Sequence, residues 1–194
     1  MNSSPKSDLI FSVYSDKRSV FTLIDIAMLI GETDFKRINE RLNYYVGRGK
    51  LFRPRKGIYV KQGYNPEELA CRLYTPCYIS LEYVLQKAGV IFQYDGRITV
   101  VSYLSRSVEI EGHRLSYRKI KGEIIVEMQG IIRTGIINIA TPERAFLDIL
   151  YLNPSYYFDN LNSLDKTLIN KLLPAYNSKA LTVRVNKLDR KSVV

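Results

Sequence analysis

Apolar residues recur along this chain with two different periods, and the change from one to the other divides it. Leu9, Ile10, Val13 and Tyr14 share a helical face, which predicts a helix over residues 6–17. Phe21-Thr22 then reads as a staple residue followed by an N-cap, with Asp25 in the capping-box position three residues on. A second helix follows over residues 23–30, with Ile26, Leu29 and Ile30 inward and Ala27 at a close-packing position. Gly31-Glu32-Thr33 supplies a tight turn. The third helix starts near Asp34, and Ile38, Leu42, Tyr45 and Val46 form its buried stripe. Residues 51–61 read as strand, turn and strand, with Pro54 and Gly57 bracketing the turn.

Gly63-Tyr64-Asn65-Pro66 is a hinge-like break, which predicts two domains, residues 1–65 and 66–194. Pro66-Glu67-Glu68 opens a helix with an acidic first turn, and Thr75-Pro76 stops it. Residues 80–88 form a further helix ending at Gly89. From Arg97 the period becomes two. Strands are predicted at residues 98–103, 107–111 and 114–120, with Gly112-His113 as a hairpin tip, and then at 124–128, 131–133 and 136–140. Thr141-Pro142-Glu143 is a helix start, and an apolar face carries that helix to Asn153-Pro154. After a loop over residues 155–162, helices fit residues 165–173 and 178–188, and Arg190-Lys191-Ser192 reads as a frayed tail. The fold class is α+β: three helices and a β-hairpin, the pattern of a winged helix-turn-helix, then a mixed α/β domain with a small sheet and flanking helices.

Charge sharpens this picture. The chain carries +10, and residues 36–61 hold nine Lys or Arg against one acid, Glu40. Positive charge gathered in one segment is the footprint of a polyanion site. At 100° per residue, Lys36, Glu40, Asn43 and Tyr44 lie roughly opposite Ile38, while Arg37, Arg41, Tyr44 and Arg48 run along one flank. Arg and Asn offer the best bidentate matches to guanine and adenine. Lys36, Arg37, Asn39, Glu40, Arg41 and Asn43 are therefore candidates for base edges, with Arg37 and Arg41 equally suited to phosphates. Tyr44 is placed to stack or to fill a gap. The hairpin would carry Arg53, Arg55 and Lys56 to phosphates or a minor groove. Arg114, Arg118, Lys119 and Lys121 form a second basic cluster, read as a solvated strand edge protected by Lys.

Other chemistry is sparse. One histidine, no tryptophan and two cysteines, Cys71 and Cys77, leave little material for a triad, a zinc site or a disulfide framework. No glycine-rich phosphate loop occurs, and no cofactor or metal is expected. His113 is expected as an exposed turn residue, and Glu143 and Asp148 as capping and structural carboxylates. No apolar run approaches the roughly 18 residues that span a bilayer, and the first eight residues lack a signal-like core, so a reduced, cytoplasmic, non-enzymatic protein is expected.

Taken in order, several segments resemble the AbiEi family, antitoxins of type IV toxin–antitoxin systems in abortive infection. They are Arg55-Lys56-Gly57-Ile58-Tyr59, Tyr78-Ile79-Ser80-Leu81-Glu82 up to Gly89, Arg97-Ile98-Thr99-Val100-Val101, the hairpin to Tyr117-Arg118, and Ile139 to Asp148. The resemblance runs through residues 20–152. It implies a DNA-binding repressor acting on inverted repeats in its own promoter, in two copies per operator. It also implies a second domain antagonising a co-encoded nucleotidyltransferase-like toxin, with no stable complex required and no catalytic residue. The alternatives are a stand-alone regulator whose second domain senses a ligand or protein, and a nuclease built around Glu109, Glu111 and Glu127.

Overall fold

In the computed structural model, residues 8–93 and 95–191 are described, side chains as far as residue 188. The expectations for Lys6, Ser7 and Ser192 lie outside these residues. The chain is α+β, and it divides into two compact units that meet between Arg72 and Leu73, beyond the break at Gly63–Pro66.

The first unit opens with α1 (Leu9–Ser15), whose first turn is capped by the Asp8 carboxylate. β1 (Val20–Thr22) follows directly, a short strand that the sequence pattern conceals because Phe21 and Thr22 also serve the next helix. In α2 (Leu23–Ile30) the capping box is complete: Thr22 Oγ1 accepts from the Asp25 amide at 3.1 Å, and Asp25 Oδ2 accepts from the Thr22 amide at 2.7 Å. Gly31, at φ 64°, ends the helix in the left-handed conformation. Asp34 caps α3 (Phe35–Gly47). The hairpin is β2 (Phe52–Arg55) and β3 (Ile58–Val60), and β3 lies between β1 and β2 in an antiparallel sheet. Pro54 is tolerated because β2 is an edge strand, and a register irregularity between Phe52 and Arg55 accommodates it. Leu9, Val13, Phe21, Ile26, Ile38, Leu42, Leu51 and Tyr59 form one core.

α4 (Pro66–Leu73) belongs, as far as Arg72, to this unit. Its charges explain why. One Glu68 oxygen accepts from Ser19 N at 2.6 Å, Ser19 Oγ at 2.8 Å and Val20 N at 3.0 Å. The buried Asp25 takes Arg72 and, at 3.2 Å, Arg18 on its second oxygen. Arg18 is held in turn by Asp16 at 2.7 Å, and that hydrogen bond lowers the Asp16 carboxyl below its ordinary value.

The second unit is built on a six-stranded mixed sheet of β4 (Cys77–Ile79), β5 (Ile98–Ser102), β6 (Arg106–Ile110), β7 (His113–Lys119), β8 (Ile131–Thr134) and β9 (Ile137–Ala140), in the order β6-β7-β5-β4-β9-β8. The β5–β7 and β4–β9 pairs are parallel and the others antiparallel. The β6–β7 turn is Glu111-Gly112, both at positive φ, so His113 begins β7 half-buried instead of forming an exposed tip.

Two elements differ from the sequence pattern. Cys77–Ile79, buried throughout, is a strand that carries no alternation. Residues 124–128 do not form a strand: α6 (Gly122–Val126) is a single helical turn, and it presents the Ile124 carbonyl to Arg144 at 2.7 Å. α5 (Glu82–Lys87) and α7 (Pro142–Leu152) pack together; α8 (Lys166–Leu172), a 3-10 turn (Leu173–Tyr176) and α9 (Lys179–Lys191) complete the helical layer. Arg190 and Lys191 fall within α9.

A polar centre sits inside this unit. Arg144 and Asp148, one turn apart on α7, are both fully buried, with Arg144 Nε 3.6 Å from Asp148 Oδ1. Asp148 accepts from Tyr176 at 2.6 Å, Ser80 at 2.7 Å and Tyr78 at 3.1 Å. Arg144 donates to the Ile124 and Gln129 carbonyls and to the Tyr78 hydroxyl. Burial pushes the Asp148 carboxyl up against the pull of Arg144 and the three hydroxyls. Burial also pushes the Tyr78 and Tyr176 phenols well above their ordinary value, helped by the Asp148 charge. Asp148 is therefore structural. Glu143 is too, for its carboxylate accepts from the Asp165 amide at 3.1 Å, where α8 begins.

Candidate nucleic-acid interface

α3 is 13 residues long, about 20 Å at a rise of ~1.5 Å per residue. Ile38 and Leu42 are buried and anchor it, so the opposite face is free to carry charge. Lys36, Arg37, Glu40, Asn43, Tyr44 and Arg48 are exposed, and Asn39 and Arg41 are half-buried. Tyr44 does not fill a gap, since it is 58% exposed and the Arg48 guanidinium lies 5.4 Å from its ring centroid. The Tyr45 ring makes an edge contact with it, centroids 5.4 Å apart. Arg37 is 3.8 Å from Glu32, an exposed pair worth little in solution.

Two hydrogen bonds tie this helix to the hairpin. Arg53 Nη1 donates to Asn43 Oδ1 at 3.1 Å, which brings two sequence-predicted site residues together. The Tyr59 hydroxyl donates to Asn39 Oδ1 at 3.2 Å. Tyr59 is buried on β3, and nothing in its Gly-Ile-Tyr context marks it as a partner for Asn39. The bond engages one of the two acceptor positions of the Asn39 amide oxygen. Asn43 is exposed, and its oxygen accepts from the end of an exposed arginine.

At the hairpin the turn is Lys56-Gly57. Gly57 adopts φ 81°, a conformation that keeps the turn tight and favours glycine. Arg53 and Lys56 are exposed and Arg55 is half-buried. Lys50, exposed between helix and hairpin, extends the same cationic run and is signalled only by its place in that run.

Not every cation in residues 36–61 faces outward. Lys61 Nζ donates to the Asp16 carbonyl at 2.5 Å and lies 5.7 Å from the Phe21 ring. Burial lowers its ammonium below the ordinary value, although Asp16 opposes this. Lys61 is scaffold.

The other candidate chemistry is dispersed. Glu109 lies on β6, Glu111 in the β6–β7 turn and Glu127 at the end of α6. Among the described residues no three His, Cys, Asp or Glu come together as a metal site. Cys71 and Cys77 are both buried. Among the described residues no helix is long and apolar enough to cross a membrane. Arg114, Arg118, Lys119 and Lys121 are exposed on and after β7, but β7 pairs with both β6 and β5, so the cluster does not protect a sheet edge. No protein-family model matches the chain, and no curated protein matches it.

Proposed function

We propose that the first unit is a winged helix that binds duplex DNA, with α3 in the major groove and the β2–β3 hairpin as the wing. The observation that carries this reading is the Arg53–Asn43 hydrogen bond, which makes the exposed polar face of α3 continuous with the cationic hairpin. Lys36, Arg37, Glu40, Arg41 and Asn43 face base edges and nearby phosphates, Arg48 and Tyr44 approach the backbone, and Arg53, Arg55 and Lys56 supply sequence-independent affinity. The charge supports the same division, because the rest of the chain is nearly neutral.

In the cell, this module would repress the chain's own operon from inverted repeats, two copies to an operator, in the cytoplasm. The second unit would act as an AbiEi-type antitoxin toward a co-encoded nucleotidyltransferase-like toxin, without enzymatic activity and without a stable complex. The order of segments from residue 20 to 152 supports this half of the proposal.

Fluorescence anisotropy of the full chain on its upstream DNA, against a scrambled duplex at several salt concentrations, tests the DNA reading. A preference of about a hundredfold or more with a steep salt slope is expected. Equal, weak binding to both duplexes refutes it. Growth rescue from the neighbouring toxin by a chain with a crippled hairpin tests the division of labour. Rescue by residues 1–72 alone would refute that division.

A further inference from the structure

The loop after α7, residues 153–162, walls a cleft in the second unit that is partly open to solvent. The cleft encloses about 240 Å³. That is about eight times the ~30 Å³ one water takes in the liquid, and just below the ~300–1,000 Å³ of drug-sized pockets. Ile91, Tyr156 and Tyr157 give it apolar and aromatic surface, and Gln93, Asn153 and Asp159 give it polar atoms. Hydrogen bonds fix these walls. The Asp159 and Asn160 amides donate to the Val90 carbonyl at 3.0 and 3.1 Å, and Asp159 Oδ2 accepts from the Phe92 amide at 2.8 Å. At the other end of the loop, Asn153 Oδ1 accepts from the Ser155 amide at 3.2 Å and the Asn153 carbonyl from the Tyr156 amide at 3.3 Å. Phe158 is buried against Phe146 and Tyr156, with ring centroids 4.9 and 5.1 Å away.

The cleft is negative. Among the described residues that line it, Asp159 carries charge and no Lys or Arg does. Arg118 lines a smaller adjoining space that shares Asn153 and Tyr156. Asn153 is also the C-cap of α7, the end of a helix that favours cations. The Tyr156 phenol feels the same field: burial raises it above its ordinary value, and the charges of Glu82, Asp159 and Asp95 raise it further. Anions are therefore repelled. A primary ammonium brings three donors into a cleft where both Asn153 oxygens and Asp159 Oδ2 each already accept a hydrogen bond. A methylated ammonium asks for no acceptor and is drawn to aromatic faces.

We infer that this cleft binds a small quaternary ammonium compound of the choline class. Its methyl groups rest on Ile91 and the two tyrosine rings, and its charge lies beside the Asp159 carboxylate. A hydroxyl, where the compound carries one, reaches the Gln93 amide. A metal ion would find a single carboxylate, and among the described residues no group of three ligands gathers.

The test is amide chemical-shift mapping on the full-length, isotope-labelled chain at fixed ionic strength, with tetramethylammonium and choline as probes. Ethanolamine and neohexyl alcohol are the controls, the first lacking the methyl groups of choline and the second its charge. The expected result is saturable shifts at Gln93, Asn153, Ser155 and Tyr157 from at least one quaternary probe, with each control binding about tenfold or more weakly. Tyr157 is 78% exposed, so Tyr157→Ala removes a ring without touching the core. Asp159→Asn removes the charge and keeps an oxygen to accept from Phe92. Each variant should weaken binding of that probe about threefold or more. Absence of saturable shifts with both quaternary probes, a control that binds as tightly, or binding unaltered in both variants would each overturn the proposal. The wild-type titrations decide the matter even if a variant fails to fold.

Discussion

Replacing Arg55 and Lys56 together by alanine removes two cations from the hairpin while leaving the Arg53–Asn43 and Tyr59–Asn39 hydrogen bonds intact. Every phosphate of duplex DNA that is no longer neutralised makes the slope of log K against log salt shallower by about 0.9, so two phosphates change it by about 1.8. Over the fourfold rise from about 50 to 200 mM salt, the wild type should then lose about twelvefold more affinity than the variant. Lys56 is the more exposed of the two, so Lys56→Ala alone should give at least half of the change in slope. Anisotropy titrations at four salt concentrations measure this directly. Operator and scrambled duplexes should weaken alike, since phosphates carry no sequence code. A slope unchanged in the double variant, or a weakening confined to the operator, would remove the hairpin from the interface.

Asn43→Ala should instead cost about 1–3 kcal/mol on the operator and little on the scrambled duplex, in competition anisotropy. Asp25→Ala removes a capping-box partner and the shared acceptor of Arg18 and Arg72, and should destabilise the first unit by about 2–4 kcal/mol. That falls below the cost of breaking a fully isolated ion pair because Arg18 keeps Asp16, and amide exchange in α2 reports it. At high pH the second unit should weaken. Tyr78 and Tyr176 titrate above their ordinary value of 10.0 in the folded chain, so the stability they contribute is complete below about pH 10 and declines as pH rises past it. Alkaline unfolding followed by circular dichroism should show this fall, and Tyr78→Phe with Tyr176→Phe should flatten it.

The elements legible in the sequence are those whose signals are local. Thr22 with Asp25, and Thr141 with Pro142, mark helix starts through chemistry that spans three residues or fewer, and α2 and α7 begin where those signals say. The β6–β7 hairpin announces itself through alternation on both sides of a glycine. The run Ile124-Ile125-Val126 misleads because its β-branched residues favour a strand, whereas the nearby buried guanidinium of Arg144 draws on a carbonyl of one helical turn. β1 and β4 are three residues each, too short for a period, and exist through strands more than twenty positions away. In the candidate site, charge and helical spacing mark the exposed cations. They cannot separate Lys61 from the rest, because its burial depends on Asp16 and Phe21 folding over it. The Asn39–Tyr59 link is hidden for the same reason.

The buried centre at Arg144 constrains how this sequence can drift. Its members come from β4, α7 and the 3-10 turn, so no short stretch of chain contains the whole set. Changing Tyr78 or Tyr176 alone takes a donor from a fully buried carboxylate, and changing Asp148 alone strands a buried guanidinium. Viable descendants should therefore exchange positions 78, 144, 148 and 176 in concert, through intermediates of low fitness. Those four positions should form a co-inherited block, while the exposed cations of α3 and the hairpin are free to diverge one at a time.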